Sequence, residues 1–320
     1  SNQIWFVSFP EGEARKLTND LNDYSSLGVS PDGKLVVSVQ ATQTSSLWVG
    51  EAGNNSSGFK QIASETGFLS PIDLTSDDRL IFRSNADGKS NLWTMRTDGG
   101  ERRQLTADAQ ADMRGICVTP DAKRIVFVSS LAGKYDLWRV DVDGENLTRL
   151  TSGDGEMFPA CSPDNQFIIY QKSLRAGIGK ALWKIPLNGG QQIPLTDYYA
   201  IRPAISPDGR RVAFFYMSDE KWRIGIVSAN GGLIEQSFDV PDNVPDRIIR
   251  WAQNNRDLFY AANIGDIGNV WQLSPDGKTK QITDFDSNLL DAFALSPNAK
   301  KMAITRTTTV SDVVGIAEQP

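Results

Sequence analysis

Histidine is absent from the 320-residue chain. That absence removes Ser-His-Asp and Cys-His nucleophile systems, His-ligated zinc and histidine general bases. Carboxylate-only or lysine-based mechanisms remain open. A basic excess is missing too: 33 basic residues face 39 acidic ones, a net charge of −6. Such a chain is a poor match for nucleic acid, whose binding depends on neutralising phosphates, and for an anionic membrane surface. No apolar run approaches the roughly 20 residues that span a bilayer. These residues read as carrying no secretory leader, so a secreted or membrane-anchored parent is expected to carry this chain as its processed or excised part. A Gly-x-Ser-x-Gly elbow, a glycine-rich phosphate loop and a kinase catalytic loop are all lacking. So is any helical period.

What the chain does contain is a repeat. Trp48, Trp93, Trp138 and Trp183 recur at a constant spacing of 45 residues, with Trp5 and Trp271 in the same context. Each sits in an alternating apolar run such as "SNLWTMRT" or "YDLWRVDV", the pattern of a strand with one buried face. A tight turn follows most of them, as at Asp98-Gly99 and Asp143-Gly144, where positive φ is tolerated. Next comes a short strand closing in Leu-Thr, as at Leu105-Thr106, Leu150-Thr151 and Leu195-Thr196. A variable loop, an apolar strand and a Ser-Pro-Asp-Gly type turn complete the unit, as at Ser30–Gly33 and Ser206–Gly209. Proline then aspartate is type I turn chemistry.

Each unit therefore reads as four antiparallel strands, A to D from the variable loop onward. The expected fold is all-β: one seven-bladed propeller of four-stranded antiparallel blades. The blades read as 19–63, 64–106, 107–151, 152–196, 197–239 and 240–284. The seventh, split between 285–320 and 1–18, is expected to close the ring with both termini. Residues 3–9 and 311–317 both read as strand C, one strand too many. Cys117 and Cys161 lie on equivalent inner strands of adjacent repeats, one register step apart, and are expected as two buried free thiols pointing to opposite faces. The four spaced tryptophans are expected to be structural.

The Ser-Pro-Asp-Gly turns, the Leu-Trp strand, the Asp-Gly-Gly hairpin and the closing Leu-Thr resemble the TolB-like, WD-type propeller repeat of bacteria. The opening "NQIWFVSFPEGEARKLTNDLNDY" and the ending "ITRTTTVSDVV" resemble the C-terminal propellers of bacterial receptor-like Ser/Thr kinases and winged-helix regulators. The repeat at 197–239 departs from the pattern, with Gly225 in place of Trp and no closing Leu-Thr. The resemblance implies a non-catalytic sensor or scaffold domain of a larger signalling protein, periplasmic or extracellular. Two other readings stay open. One is the propeller of a prolyl-oligopeptidase-like or tricorn-like peptidase without its catalytic domain. The other is a carboxylate-dependent lyase or hydrolase.

Loops A→B and C→D are short and uniform, whereas B→C and D→A vary. Variable loops on a rigid scaffold usually carry binding. Binding is therefore expected on the B→C/D→A face and at the channel mouth, by a protein or small-molecule partner of a monomer, with no cofactor or metal. The D→A loops hold many acids, read either as solvated turn caps or as a funnel for a basic partner. Asp112, Arg114, Glu156, Tyr198, Tyr199 and Arg202 are the candidate contacts there. Asp73 and Arg250 stand where the other repeats place Gly28, Cys117, Ala160, Ala204 and Ala294 on strand A. A charge in that position needs water or a partner. Calcium at Asp141–Gly144 is disfavoured, because a hairpin turn lacks the further oxygen ligands.

Overall fold

The computed structural model describes residues 2–86, 88–107, 113–153, 155–173, 179–240, 244 and 248–317. Its strands, in chain order, begin with the hairpin β1 (Trp5–Val7) and β2 (Ala14–Lys16). After these come β3 (Asp23–Val29), the long β4 (Leu35–Glu51) and β5 (Lys60–Thr66). Five four-stranded antiparallel sheets follow. The first holds β6 (Ile72–Leu74), β7 (Arg79–Ser84), β8 (Asn91–Arg96) and β9 (Arg103–Gln104). The second holds β10 (Met113–Val118), β11 (Arg124–Ser129), β12 (Asp136–Asp141) and β13 (Thr148–Arg149). The third holds β14 (Met157–Cys161), β15 (Phe167–Ser173), β16 (Lys180–Pro186) and β17 (Ile193–Pro194). The fourth holds β18 (Ile201–Ile205), β19 (Arg211–Ser218), β20 (Lys221–Ser228) and β21 (Gln236–Asp239). The fifth holds β22 (Ile249–Trp251), β23 (Leu258–Ile264), β24 (Ile267–Leu273) and β25 (Thr279–Gln281). Last come β26 (Leu289–Leu295) and the long β27 (Lys301–Ala317).

The architecture is the all-β propeller read from the repeat, and its strands fall into seven sheets. Six inner strands, β6, β10, β14, β18, β22 and β26, line a common channel. Apolar cores fill the spaces between neighbouring sheets.

The C-terminal strand closes a sheet, but its partner is β4 and not the expected residues 1–18. β27 pairs antiparallel with β4 along its whole length, from Lys301–Glu51 to Ala317–Leu35. One half of that ladder is completed by β26 and β5 into a four-stranded blade. The other half, bordered by β3, extends beyond it. The hairpin β1–β2 pairs only with itself. The reason is local. Elsewhere the B→C connection carries turn residues in the left-handed region, such as Gly88, Gly133, Asp219 and Gly265. Residues 40–45, "QATQTS", and 306–311, "RTTTVS", contain no Gly, Pro, Asn or Asp. Without a turn former, β-branched chain continues straight as strand. The extension leaves Leu27, Val29, Val310 and Val313 each more than half exposed.

The motif residues each have a mechanical role. The closing threonine accepts an amide near the start of strand C in its own sheet: Leu92 N–H donates to Thr106 Oγ1 at 3.0 Å, Leu137 to Thr151 at 2.9 Å, and Leu182 to Thr196 at 3.0 Å. In the A→B turns the leading hydroxyl donates to the aspartate, Ser206 to Asp208 at 2.5 Å and Ser162 to Asp164 at 2.6 Å. The tryptophans pair across the ladder with a strand-B residue, Trp93 with Phe82 and Trp138 with Phe127, and pack partly buried against the cores. Gly225 faces Phe214, whose Cζ would lie 2.6 Å from a Cβ at that position. The phenyl ring occupies the space that a side chain at this position would need.

The cysteines differ from expectation. Cys117 and Cys161 form a disulfide, with Cα atoms 5.7 Å apart. The one-step offset holds, but its consequence is the reverse of two separated thiols. Blades stack face to face, so the rear face of one meets the front face of the next. Residues one step apart on adjacent inner strands then point at each other.

Candidate functional site

The channel holds a chamber of about 410 Å³. Its rim is set by Pro120, Pro163, Pro207 and Pro297, which belong to the A→B turns. The chamber therefore opens at the turn end. Asp73 and Arg250 are the charged residues on its wall. Both Asp73 carboxylate oxygens accept backbone amides, Leu74 N–H at 2.9 Å and Val118 N–H at 2.8 Å. The second bond ties β6 to β10. Arg250 Nη1 donates to the Ile249 carbonyl at 2.9 Å, and its guanidinium lies 5.9 Å from the Phe293 ring centroid. Removal from bulk water pushes the Asp73 carboxyl above the ordinary carboxylate range, against the pull of Arg250 and the two amides. The same removal pushes the Arg250 guanidinium down, partly offset by Asp73. Towards the loop end the channel narrows to a cavity of about 80 Å³, lined by Gly115, Phe158, Arg202, Asp291 and Phe293 among others. Arg250 lines both spaces.

Several acids of the loop end are tied into the structure. Glu156 is buried and lies 3.8 Å from Lys172 Nζ. Glu65 pairs with Arg102 and accepts Ser84 Oγ at 2.6 Å. Asp284 accepts Ser56 N–H at 2.7 Å. In the Asp141–Gly144 hairpin, Asp141 accepts Asn146 Nδ2 at 2.7 Å and Asp143 accepts Glu145 N–H at 3.0 Å, as turn caps do. Asp112 lies outside the described residues, as do Asp108, Asp154, Asp242 and Asp246. Among the described residues no group of three or more His, Cys, Asp or Glu side chains is placed to hold a metal ion.

A groove of about 350 Å³ crosses the loop end over the second, third and fourth sheets. It brings together Arg114, Tyr199 and Arg202 from the sequence candidates. Phe158, Lys180 and Trp222 join them. Tyr198 is turned away onto Phe214, ring centroids 5.9 Å apart, and burial pushes its hydroxyl up to about 12. Arg114, Phe158 and Arg202 occupy one repeat position, immediately after Met113, Met157 and Ile201. Each inner strand breaks register there, the signature of a bulge, which re-aims side chains. Phe158 and Arg202 take left-handed φ of 51° and 57°. That conformation is uncommon for large side chains and persists where the surroundings over-determine it. The Arg202 guanidinium sits 3.4 Å from the Phe158 ring centroid.

Phe158, Lys180 and Trp222 were not singled out from the sequence as contacts. The signal was available for Phe158, since aligning strand A across repeats stacks it with Arg114 and Arg202. Lys180 and Trp222 come from strand C of two different repeats and are brought to the groove only by blade packing.

Comparison with solved structures places the fold beside several propellers. TolB from Acinetobacter baumannii superposes with a TM-score of 0.62 at 16% identity, over 86% of this chain and 67% of that one. A protein described as a gluconolactonase from Xanthomonas campestris gives 0.56 at 13% identity, over 85% and 90%. A chain of a nidogen/laminin complex gives 0.60 at 10% identity, over 78% and 97%. At these identities the likeness is one of fold. No curated protein sequence matches significantly. The family model for the TolB β-propeller domain matches residues 54–240 and 115–289, well over half of the chain. On that match the chain belongs to the TolB β-propeller domain family.

Proposed function

We propose that this chain is a ligand-binding propeller, a sensor or scaffold module without catalysis of its own. Its small ligand, carrying both a positive and a negative group, sits in the channel chamber. The supporting observation is Asp73 and Arg250, opposite charges held in one preformed space among apolar walls. Small-molecule sites are concave and mostly apolar, with a few placed polar groups. The walls are stiffened by rim prolines and by the Cys117–Cys161 bridge. A disulfide also favours an oxidising compartment, periplasmic or extracellular. The lactonase neighbour supplies no chemistry to this reading, since a shared fold does not carry a reaction, and the chain lacks histidine.

The test is thermal denaturation with amino acids, small dicarboxylates and diamines as three separate probe sets. The amino acids should stabilise the protein. A ligand at 100 times its Kd adds about 2.7 kcal/mol. Arg250→Gln and Asp73→Asn should each remove the shift. A shift that survives both substitutions, or its absence with every amino acid, refutes the assignment.

A further inference from the structure

The chamber wall contains a bond that can react as well as groups that can bind. Around the channel the inner strands follow chain order, β6, β10, β14, β18, β22 and β26, and β26 meets β6 again. Asp73 on β6 and Arg250 on β22 therefore flank β26. β14 stands midway round the ring from β26, and it carries Cys161. Cys117 on β10 shares the repeat position of Asp73 and Arg250, and its bridge to Cys161 lines the chamber. Ala160 and Ala204, at the same position, leave the centre open. Cys117 is buried, whereas Cys161 is only partly so.

We propose that the Cys117–Cys161 bridge is a reaction site for a β-thiol amino acid held in the chamber, which opens it by thiol–disulfide exchange. The inference rests on the reading of the chamber as a site for a small ligand with both charges. With its ammonium at Asp73 and its carboxylate at Arg250, an amino acid turns its side chain away from β26 and towards β14. A thiol one carbon out then faces the more accessible sulfur. The ligand thiolate attacks Cys161 Sγ, and the bond between the two Sγ atoms breaks. A mixed disulfide forms between the ligand and Cys161, and Cys117 leaves as a thiolate that takes a proton from water. The ligand sulfur is oxidised and the Cys117 sulfur reduced, so no further oxidant or reductant enters. Holding the reactants together replaces a bimolecular encounter with an effectively unimolecular one. Thiols that lack either charge reach the bridge only by collision. Once the bridge is open, β10 and β14 lose their covalent tie, so arrival of the ligand loosens two neighbouring blades.

The experiment is exchange on the oxidised whole chain with cysteine, cysteamine, thioglycolate and mercaptoethanol. Each reaction is quenched with N-ethylmaleimide, which caps the freed Cys117. Intact-mass measurement and peptide mapping follow the adduct on Cys161. Each rate is divided by that thiol's rate on hydroxyethyl disulfide, a free disulfide, which removes intrinsic reactivity. After that division cysteine should exceed each of the other three at least tenfold. Serine has the same charged ends without the thiol, and at saturation it should slow cysteine at least tenfold. Arg250→Gln should bring cysteine down to the level of mercaptoethanol. Should that variant fail to fold, the serine competition carries the same expectation in the wild type. The proposal is overturned if the four normalised rates agree, if the adduct falls on Cys117, or if the bridge does not open. Melting with serine separates the two readings. If serine stabilises the protein but cysteine shows no preference, the chamber reading stands and the reaction fails. If serine neither stabilises nor competes, the chamber reading falls and takes the reaction with it.

Discussion

Cys117 and Cys161, one register step apart on neighbouring inner strands, are joined across the gap between two blades. Their bond lies in the chamber wall and closes a stretch with a sequence separation of 44. In the chain-entropy account, a loop of this size stabilises the fold by about 4 kcal/mol.

Cys117→Ser should therefore lower the melting temperature by about 6 °C, taking about 2.1 cal/mol/K per residue for the unfolding entropy. Reductant should lower the wild type by a similar amount and leave the variant unmoved. Identical melting of oxidised and reduced wild type would show that the bridge does not form in solution.

The threonine latch predicts a hydroxyl-specific effect. Thr151 accepts the Leu137 amide at 2.9 Å in a buried setting. Thr151→Val keeps the shape and strands that amide, costing about 1–3 kcal/mol. Thr151→Ser should recover most of the loss. Denaturant titration of the three proteins decides, and equal midpoints for valine and threonine would refute the latch.

Restoring the repeat pattern at Gly225 should harm the protein rather than help it. A Cβ there would meet Phe214 Cζ at 2.6 Å. Gly225→Ala is expected to destabilise by about 1–3 kcal/mol through overpacking. Phe214→Leu should lower that penalty when combined with it. A double-mutant cycle reads the coupling directly. Strict additivity would mean that the ring is not what excludes a side chain.

The A→B turn aspartates predict part of the acid limb of stability. Burial raises the Asp208 carboxyl, but the Ser206 hydroxyl, the Arg210 amide and the charges of Arg211 and Arg210 outweigh it, leaving the group below its ordinary value. A carboxyl lowered in the folded state contributes stability above its unfolded pKa, and loses it as pH falls through the folded one. Asp208→Asn should shallow the fall in melting temperature below about pH 4, near the unfolded aspartate value, with little change in turn geometry. Asn298 already fills the equivalent place in another turn, accepting Ser296 Oγ at 2.7 Å. An unchanged acid limb in the variant would remove Asp208 from the account.

How much could be read in advance depended on the range of the interaction concerned. The tryptophan spacing, the Asp-Gly turns and the closing threonines act within one blade, over a few tens of residues. They show in the sequence because the same short-range problem is solved repeatedly with the same residues. The straight run through 40–45 departs from the repeat, which predicts a B→C loop there. What it pairs with was not visible, because β4 meets β27 from the far end of the chain. Apolar alternation states that a strand has a buried face without naming the face that covers it.

The sequence by itself determined the all-β repeat, its turn chemistry and the exclusion of histidine-based catalysis. Only the tertiary structure decided the disulfide, because whether side chains one step apart diverge or meet depends on how twisted blades stack. It also decided the groove, where Arg114, Lys180 and Arg202 come from three repeats and share no local pattern. The physical reason is the same in both cases. Each blade is specified by contacts along the chain, whereas the surfaces between blades are specified by packing of side chains from different repeats.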